Sequence, residues 1–293
     1  FIRETITEYR DSIQFMWDQT VRGANLGLTL DELVTFVQLP EKFSSNYLTR
    51  QLYGVVEHHV RQIYTGLFGW FDEDESKLFP TPSPDRGRKL VDGFGGKPAV
   101  RSAIDRALQE SDYRWAIELA TWLVRGDLND RGRADAGDQE DRNRLATGLR
   151  GVAQSTTSAN VRNWSLTRAL ELEGTLDLER FRGHRFRVAE LISQQAASSV
   201  SLLKVLLKPQ AAGEINQEIR ITFDDGSTAG LRIRNQVAVP TSGENAELTL
   251  EIGHQHWAEV LGGKNSLAEL LEAGDASSAD KLSVQQFFNC FDV

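Results

Sequence analysis

At 293 residues the chain is long for a single core and sized for two domains or more. Its 40% hydrophobic and 26% charged residues are those of an ordinary globular protein, and no uninterrupted apolar run is long enough to cross a bilayer, which argues against a membrane-spanning helix. A formal charge of -9 argues against DNA or RNA as the main partner, since phosphate binding needs a basic surface.

The chain opens at Phe1 and Ile2, with no initiator Met and no charged-then-apolar signal pattern, so it reads as a piece of something longer, cytoplasmic or exported. Ile6, Tyr9, Ile13, Met16, Trp17 and Thr20 share one side of an amphipathic helix over 3–25, closed by Asn25 and Gly27. Thr29 and Glu32 stand at capping-box spacing ahead of a second helix that Pro40 stops after Leu39. The pattern predicts a third, central helix over 45–68, mostly buried, with an apolar stripe through Val56, Val60, Ile63, Tyr64, Leu67 and Phe68. Pro80, Pro82 and Pro84 mark a surface loop, a strap laid across a surface.

Helices resume with Val100, Ile104 and Leu108, then Trp115, Ile117, Leu119, Ala120 and Leu123, a hairpin of tetratricopeptide-like size with no second copy at a fixed period. Residues 126–144, dense in Asp, Arg and Gly, read as a solvated helix or loop and not as a core element. Two more helices, over 145–153 and 159–172, end the helical half. After Glu173 an amphipathic helix over 188–207 is closed by Pro209, and period-two alternation follows: Ile219, Ile221 and Phe223; Leu231 and Ile233; Val237 and Val239; Leu248, Leu250 and Ile252. Asp224-Asp225-Gly226 is a hairpin-type turn. Four half-apolar strands predict a sheet with one covered face, the cover being helices over 256–261, 266–271 and 283–291. The fold class is thus a mainly α-helical domain, 1–173, followed by an α+β domain, 174–293. Cys290, the single cysteine, rules out an intrachain disulfide framework and a multi-cysteine zinc site.

Two of the five histidines, His58 and His59, lie in the central stripe with Arg50, Glu57 and Arg61, so ionisable groups sit where burial is expected, for chemistry or only for hydrogen bonding. Adjacent helical residues point about 100° apart, so the pair does not ligate one metal ion; a single imidazole in an apolar cleft holds an anion or passes a proton. His254 and His256 share a face only if extended, with Glu247 and Glu259 as the nearest further ligands; the plainer reading is a turn from strand into helix. Gly95-Gly96-Lys97, with no strand before it, reads as a turn entering a helix and not as a phosphate loop. No complete catalytic constellation is present, and no catalytic or metal-ligating residue is assigned.

Asp18-Gln19-Thr20, Ala24-Asn25-Leu26-Gly27-Leu28-Thr29, Leu39-Pro40, Thr49-Arg50, Tyr53-Gly54, His58, Tyr64 and Gly69-Trp70 together resemble the dimerisation domain of the zinc-dependent alkyl sulfatases of the metallo-β-lactamase superfamily. Asp112-Tyr113-Arg114-Trp115 and Asn163-Trp164-Ser165-Leu166-Thr167 continue that pattern, and Pro209, Ala211-Ala212, Leu231 and Arg234-Asn235 resemble the sterol-carrier-protein-like domain that ends those enzymes.

The resemblance implies the dimerisation and sterol-carrier-like domains of a bacterial sulfuric-ester hydrolase. Its two zinc ions would sit in an N-terminal metallo-β-lactamase domain, whose His-x-His-x-Asp-His string does not occur here. It implies a homodimer, an alkyl sulfate or other long-chain amphiphile as substrate, and a hydrophobic lid over the alkyl chain. His58 matches the histidine that contacts substrate sulfate, where a protonated imidazole makes a charge-assisted hydrogen bond. Phe71 stands where relatives carry a tyrosine, and His59 where they commonly carry Asn, so His59 receives no role. The alternatives are a non-catalytic, dimeric lipid-binding module and a purely structural dimerisation region.

Overall fold

The computed structural model describes residues 1–127, 137–178 and 186–293 and divides the chain into two compact units, Phe1–Leu178 and Glu179–Val293. The first is helical; the second is an α+β layer.

In the first unit α1 (Ile2–Asn25) buries Ser12, Thr20 and Gly23, while Ile6, Tyr9, Ile13 and Trp17 stay exposed. The buried face is therefore rotated away from the apolar stripe. Ser12 and Thr20 donate their hydroxyls to the Tyr9 and Met16 carbonyls at 2.7 and 2.6 Å, so neither carries an orphaned polar group inward. Gly23 allows α2 (Leu30–Phe36) to approach, since a Cβ there would lie 2.4 Å from the Leu33 side chain. The capping box ahead of α2 forms as expected, the Thr29 N–H donating to Glu32 Oε2 at 2.8 Å and Glu32 N–H returning to Thr29 Oγ1 at 3.4 Å.

The central helix is shorter than its periodicity suggests. After α3 (Glu41–Ser44), residues 45–55 form turns, and α4 runs only over Val56–Phe68. Gly54 disfavours a helix and Val55 is extended, while the Gln51 side chain accepts the Val56 N–H at 2.8 Å and so caps α4 from outside. Nor is the stripe continuous: Val56, Val60 and Tyr64 are buried one turn apart, whereas Leu67, Phe68, His58 and His59 are exposed.

The proline-rich stretch is also more structured than a strap. It holds α5 (Glu75–Leu78) and α6 (Ser83–Gly93), because Pro84 stands in the first turn, where its missing N–H costs nothing. Asp72, just before α5, is buried, and it accepts from the Leu30 N–H at 3.0 Å and from Lys77 Nζ at 2.8 Å. Burial pushes the Asp72 carboxyl up, but the Lys77 and Leu30 hydrogen bonds outweigh it and hold the group below the ordinary aspartate value.

Then α7 (Lys97–Gln109), α8 (Tyr113–Gly126), α9 (Gln139–Ser155) and α10 (Ala159–Leu172) close a core of Val100, Ile104, Leu119, Leu123, Leu149 and Leu172. Gly87 of α6 and Gly126 of α8 meet backbone to backbone; a Cβ on Gly87 would lie 2.8 Å from Gly126 N. Of the charged stretch 126–144, residues 128–136 lie outside the described residues. The rest departs from a solvated segment, since Asp141, in the first turn of α9, is buried and is held there by Arg101. A carboxylate pays its desolvation cost only with such a partner in place.

In the second unit the expected helix over 188–207 is broken into α11 (Val188–Ile192), α12 (Ala196–Ser199) and a 3-10 turn over Val200–Val205. Ser193 folds its hydroxyl onto the Glu190 carbonyl and Gln195 is extended, which ends one helix and starts the next. Leu191, Ala196, Val200, Leu203 and Leu206 still face inward. A short α13 (Pro209–Ala212) leads to the sheet. Its strands are β1 (Gln217–Phe223), β2 (Thr228–Arg234), β3 (Val237–Thr241), β4 (Leu248–Ile252) and the two-residue β5 (Ala276–Ser277), in the order β3-β2-β1-β4-β5. All pairings are antiparallel except β1 with β4, parallel in the register Ile219 with Leu248.

Asp224 to Ser227 make the first hairpin turn, with Gly226 at φ +81°. Asn235 and Gln236, both at positive φ, make the second, a two-residue turn whose twist suits the flanking strands. Ile219, Ile221, Leu231, Ile233 and Leu250 point into the core. On the other face Glu218 is also buried, accepting from Thr241 Oγ1 at 2.6 Å and pairing with Arg232 at 3.4 Å. Helices α14 (His254–Leu261), α15 (Leu267–Ala273) and α16 (Lys281–Phe288) complete the core around Trp257. The Trp257 indole meets Phe223 and Phe288 edge-on and donates to Ser199 Oγ at 2.7 Å. Residues 206–208 are tied to 290–292: Lys208 N–H donates to the Cys290 carbonyl at 2.7 Å and Asp292 N–H to the Leu206 carbonyl at 2.9 Å.

Candidate functional site

His58 occupies the first turn of α4 and opens onto a cleft of about 480 Å³. Three helices contribute their N-terminal turns: α4 through Glu57 and His58, α8 through Tyr113 and Arg114, and α10 through Val161. The end of α9 supplies Val152 and Ser155. Helix N-termini carry partial positive charge, so their convergence favours an anion.

The chain before α4 is held by the start of α10. Thr157 and Ser158 donate their hydroxyls to the Gln51 and Tyr53 carbonyls at 2.8 and 2.7 Å, and Ala159 N–H reaches the Leu52 carbonyl at 2.8 Å. These bonds between segments about a hundred residues apart set where α4 begins, and hence where His58 stands. The His58 ring makes no side-chain hydrogen bond among the described residues. Arg114 is tethered to Glu57 at 3.0 Å and Glu57 also meets Arg61 at 3.4 Å, so the cleft mixes cationic and anionic groups. Asp112 accepts from Trp115 N–H and is engaged as the α8 cap.

The neighbouring imidazole goes elsewhere. His59 packs over Gly54, where a Cβ would lie 2.7 Å from its Nε2, and it lines a different groove, of about 490 Å³, between α1 and α4. Phe71 lies against Trp70 with ring centroids 5.4 Å apart and planes tilted by 51°, and it is not among the residues lining the His58 cleft. Arg50 lies over the Tyr47 ring at 5.3 Å. His254 and His256 begin α14, where residues two apart diverge; His254 Nε2 meets the Leu191 carbonyl at 3.2 Å and His256 Nδ1 the Asp275 carbonyl at 3.4 Å. Glu247 and Glu259 are likewise engaged, Glu247 with the Glu218 N–H and Glu259 with Gln255 and Asn265. Among the described residues no group of three or more His, Cys, Asp or Glu is placed to hold a metal ion, so this donor set does not fit a zinc centre.

A family model for the alkyl sulfatase dimerisation domain matches residues 29–175, and one for the alkyl sulfatase C-terminal domain matches residues 197–293. The chain belongs to the alkyl sulfatase family. A linear primary-alkylsulfatase of Pseudomonas sp. (strain ATCC 19151) is 33% identical over 304 residues, covering 99% of this chain and 56% of the relative. An (R)-specific secondary-alkylsulfatase of Pseudomonas sp. is 25% identical over 99% of the chain and 43% of its own length. An alkyl/aryl-sulfatase of Saccharomyces cerevisiae is 22% identical, over 99% and 44%. The chain thus spans about half the length of the curated alkyl sulfatases it matches. The solved structure of the stereoselective inverting sec-alkylsulfatase Pisa1 from Pseudomonas sp. shares the fold, with a TM-score of 0.82 and 24% identity over 100% of this chain and 45% of that one.

Nothing in the sequence pointed to the cleft itself. Its walls come from positions 51–58, 111–114 and 152–161, brought together by the Thr157 and Ser158 hydrogen bonds, the Arg114–Glu57 ion pair and the packing of Tyr113 over Gly151.

Proposed function

We propose that this chain forms the dimerisation and C-terminal domains, near 1–173 and 174–293, of a sulfuric-ester hydrolase acting on alkyl sulfates. His58 receives the sulfate head of the substrate, a ring N–H donating to a sulfate oxygen, and the helical unit supplies the contacts between two copies. The reading is supported by the family match, by relatives named as alkylsulfatases, and above all by one observation: an exposed imidazole that has no side-chain partner among the described residues, at a cleft framed by three helix N-termini. The two zinc ions that the resemblance implies would be held by a metallo-β-lactamase domain in the rest of the parent protein, and would supply the activated water and the polarised ester.

The test joins this chain to the remainder of its parent enzyme. His58→Ala is expected to lower kcat/KM for decyl sulfate by about 10- to 100-fold, the loss of one charge-assisted hydrogen bond. An unchanged kcat/KM removes His58 from sulfate binding. Light scattering checks the two-fold association, and a monomer at working concentration would end that part of the reading.

A further inference from the structure

We infer that Glu57 makes the His58 cleft selective for a singly charged head group, so that it takes a sulfate ester and discriminates against the doubly charged phosphate ester of the same alcohol. The inference rests on the reading of His58 as the head-group contact and adds to it the residue that sets the charge of the ligand.

Glu57 and His58 are neighbours in the first turn of α4, and both line the cleft. The Glu57 carboxylate meets two guanidinium groups, Arg114 at 3.0 Å and Arg61 at 3.4 Å. Neither cancels it within the cleft. Arg61 is not among the lining residues, and its other nitrogen pairs with Asp31 at 2.8 Å. Arg114 is 83% exposed where Glu57 is 28% exposed, so the carboxylate is the sheltered partner and water screens the guanidinium. Asp112 adds a second carboxylate to the lining. Among the described residues the charged side chains of the cleft are then two carboxylates and one guanidinium, a balance that even a charged His58 brings only to zero.

What attracts an anion there is partial charge, from the N–H groups of the helix N-termini and from one imidazole N–H. That suffices for one negative charge. A phosphate dianion is ordinarily held by several arginines or lysines, whereas here its second charge meets Glu57 with no further cation opposite it among the described lining residues. At a partly exposed site, an extra unit of like charge beside a carboxylate weakens binding by about five- to tenfold.

Methyl sulfate and methyl phosphate carry the two head groups without an alkyl tail. The Cε1–H NMR signal of His58 in this chain, assigned by its loss in His58→Gln, reports the binding of each. At about pH 7.5 methyl sulfate is expected to bind about five- to tenfold more tightly than methyl phosphate. Glu57→Gln keeps an acceptor for Arg114 but removes the charge, and it is expected to bring the two affinities within about twofold. At about pH 5 the phosphate ester has taken up a proton, its second pKa lying near 6, and the unaltered chain is expected to bind the two esters alike. Equal or tighter binding of methyl phosphate at the higher pH overturns the inference, as does a preference that survives Glu57→Gln or persists at the lower pH; each of these leaves His58 as the head-group contact. A His58 signal that neither ester moves overturns this inference and the His58 reading together.

Discussion

Arg101 holds Asp141 by two parallel hydrogen bonds, Nε to Oδ1 at 2.7 Å and Nη2 to Oδ2 at 2.8 Å, with the carboxylate wholly buried. The pair joins α7 to the first turn of α9, and Arg144 stands 3.7 Å from the same carboxylate as a weaker second cation. Arg101→Met leaves the buried charge with that partner alone. A loss of about 3 kcal/mol from the helical unit is expected, at the low end for a broken buried pair. Urea titration followed by the fluorescence of Trp115 and Trp122 measures it, and a change below about 0.5 kcal/mol, the size of an exposed pair, would show that Arg144 substitutes fully.

Acid should unfold the helical unit through Asp31, Asp72 and Asp74. Each is held below its ordinary value: Asp31 chiefly by the Lys77 ion pair, Asp74 by the Ser76 hydroxyl, and Asp72 by Lys77 and Leu30 against the opposing effect of burial. A carboxyl depressed in the folded state binds protons more readily when unfolded. Its stabilisation is complete above the unfolded value, about 3.9, and is lost as pH falls through the folded value. Lys77→Met is expected to move the acid midpoint upward by about one unit, to cost about 2 kcal/mol at neutral pH, and to speed exchange of the Leu30 amide. The estimate lies below that for a fully buried pair because Lys77 is about a third exposed.

Gly87→Ala should destabilise although alanine is the better helix former. The added Cβ would lie 2.8 Å from both Gly126 N and the Trp122 carbonyl, backbone atoms that yield only if α6 and α8 separate. About 1 kcal/mol of propensity is gained and more is lost to overpacking, for a net cost of about 1–2 kcal/mol by urea titration. Gly66→Ala, with nothing within 4 Å of the new Cβ, is the control and should be stabilising.

Ser199→Ala tests the second unit. It strands the buried Trp257 N–H, whose acceptor at 2.7 Å is the serine hydroxyl. A cost of about 1–3 kcal/mol is expected, with a shift in the near-ultraviolet band of Trp257. Ser199→Thr, which keeps the acceptor, should recover part of it.

Short-range signals carried much of this fold into the sequence. Thr29 with Glu32, the Asp224 to Gly226 turn and the period-two runs name elements whose cause lies within a few residues, whereas α2 ends at Phe36, before Pro40, which instead caps α3. What stayed illegible has long-range causes. The start of α4 depends on Gln51 reaching forward and on residues 157–159 holding its approach, so periodicity alone overextended it. Asp141 read as solvated because its partner is 40 residues away. Pro84 read as a loop because a proline in a first helical turn and a proline in a loop look alike until the following turn is seen to close. β5 is too short to alternate. At the site, His58 was visible as a residue type and a resemblance, but the separation of His58 and His59 into two clefts follows from the packing on either side of α4.

The backbone bonds between residues 206–208 and 290–292 set an order on synthesis. Leu206 and Lys208 emerge ahead of the whole sheet, yet their partners Cys290 and Asp292 arrive more than eighty residues later. The segment from Val188 to Leu206 is held first by α14, through His254 Nε2 on the Leu191 carbonyl and the Trp257 indole on Ser199 Oγ, and its backbone seam to the C-terminal residues closes last. Removing residues 290–292 would therefore hold the second unit at that nascent stage, with its strands made and its seam open.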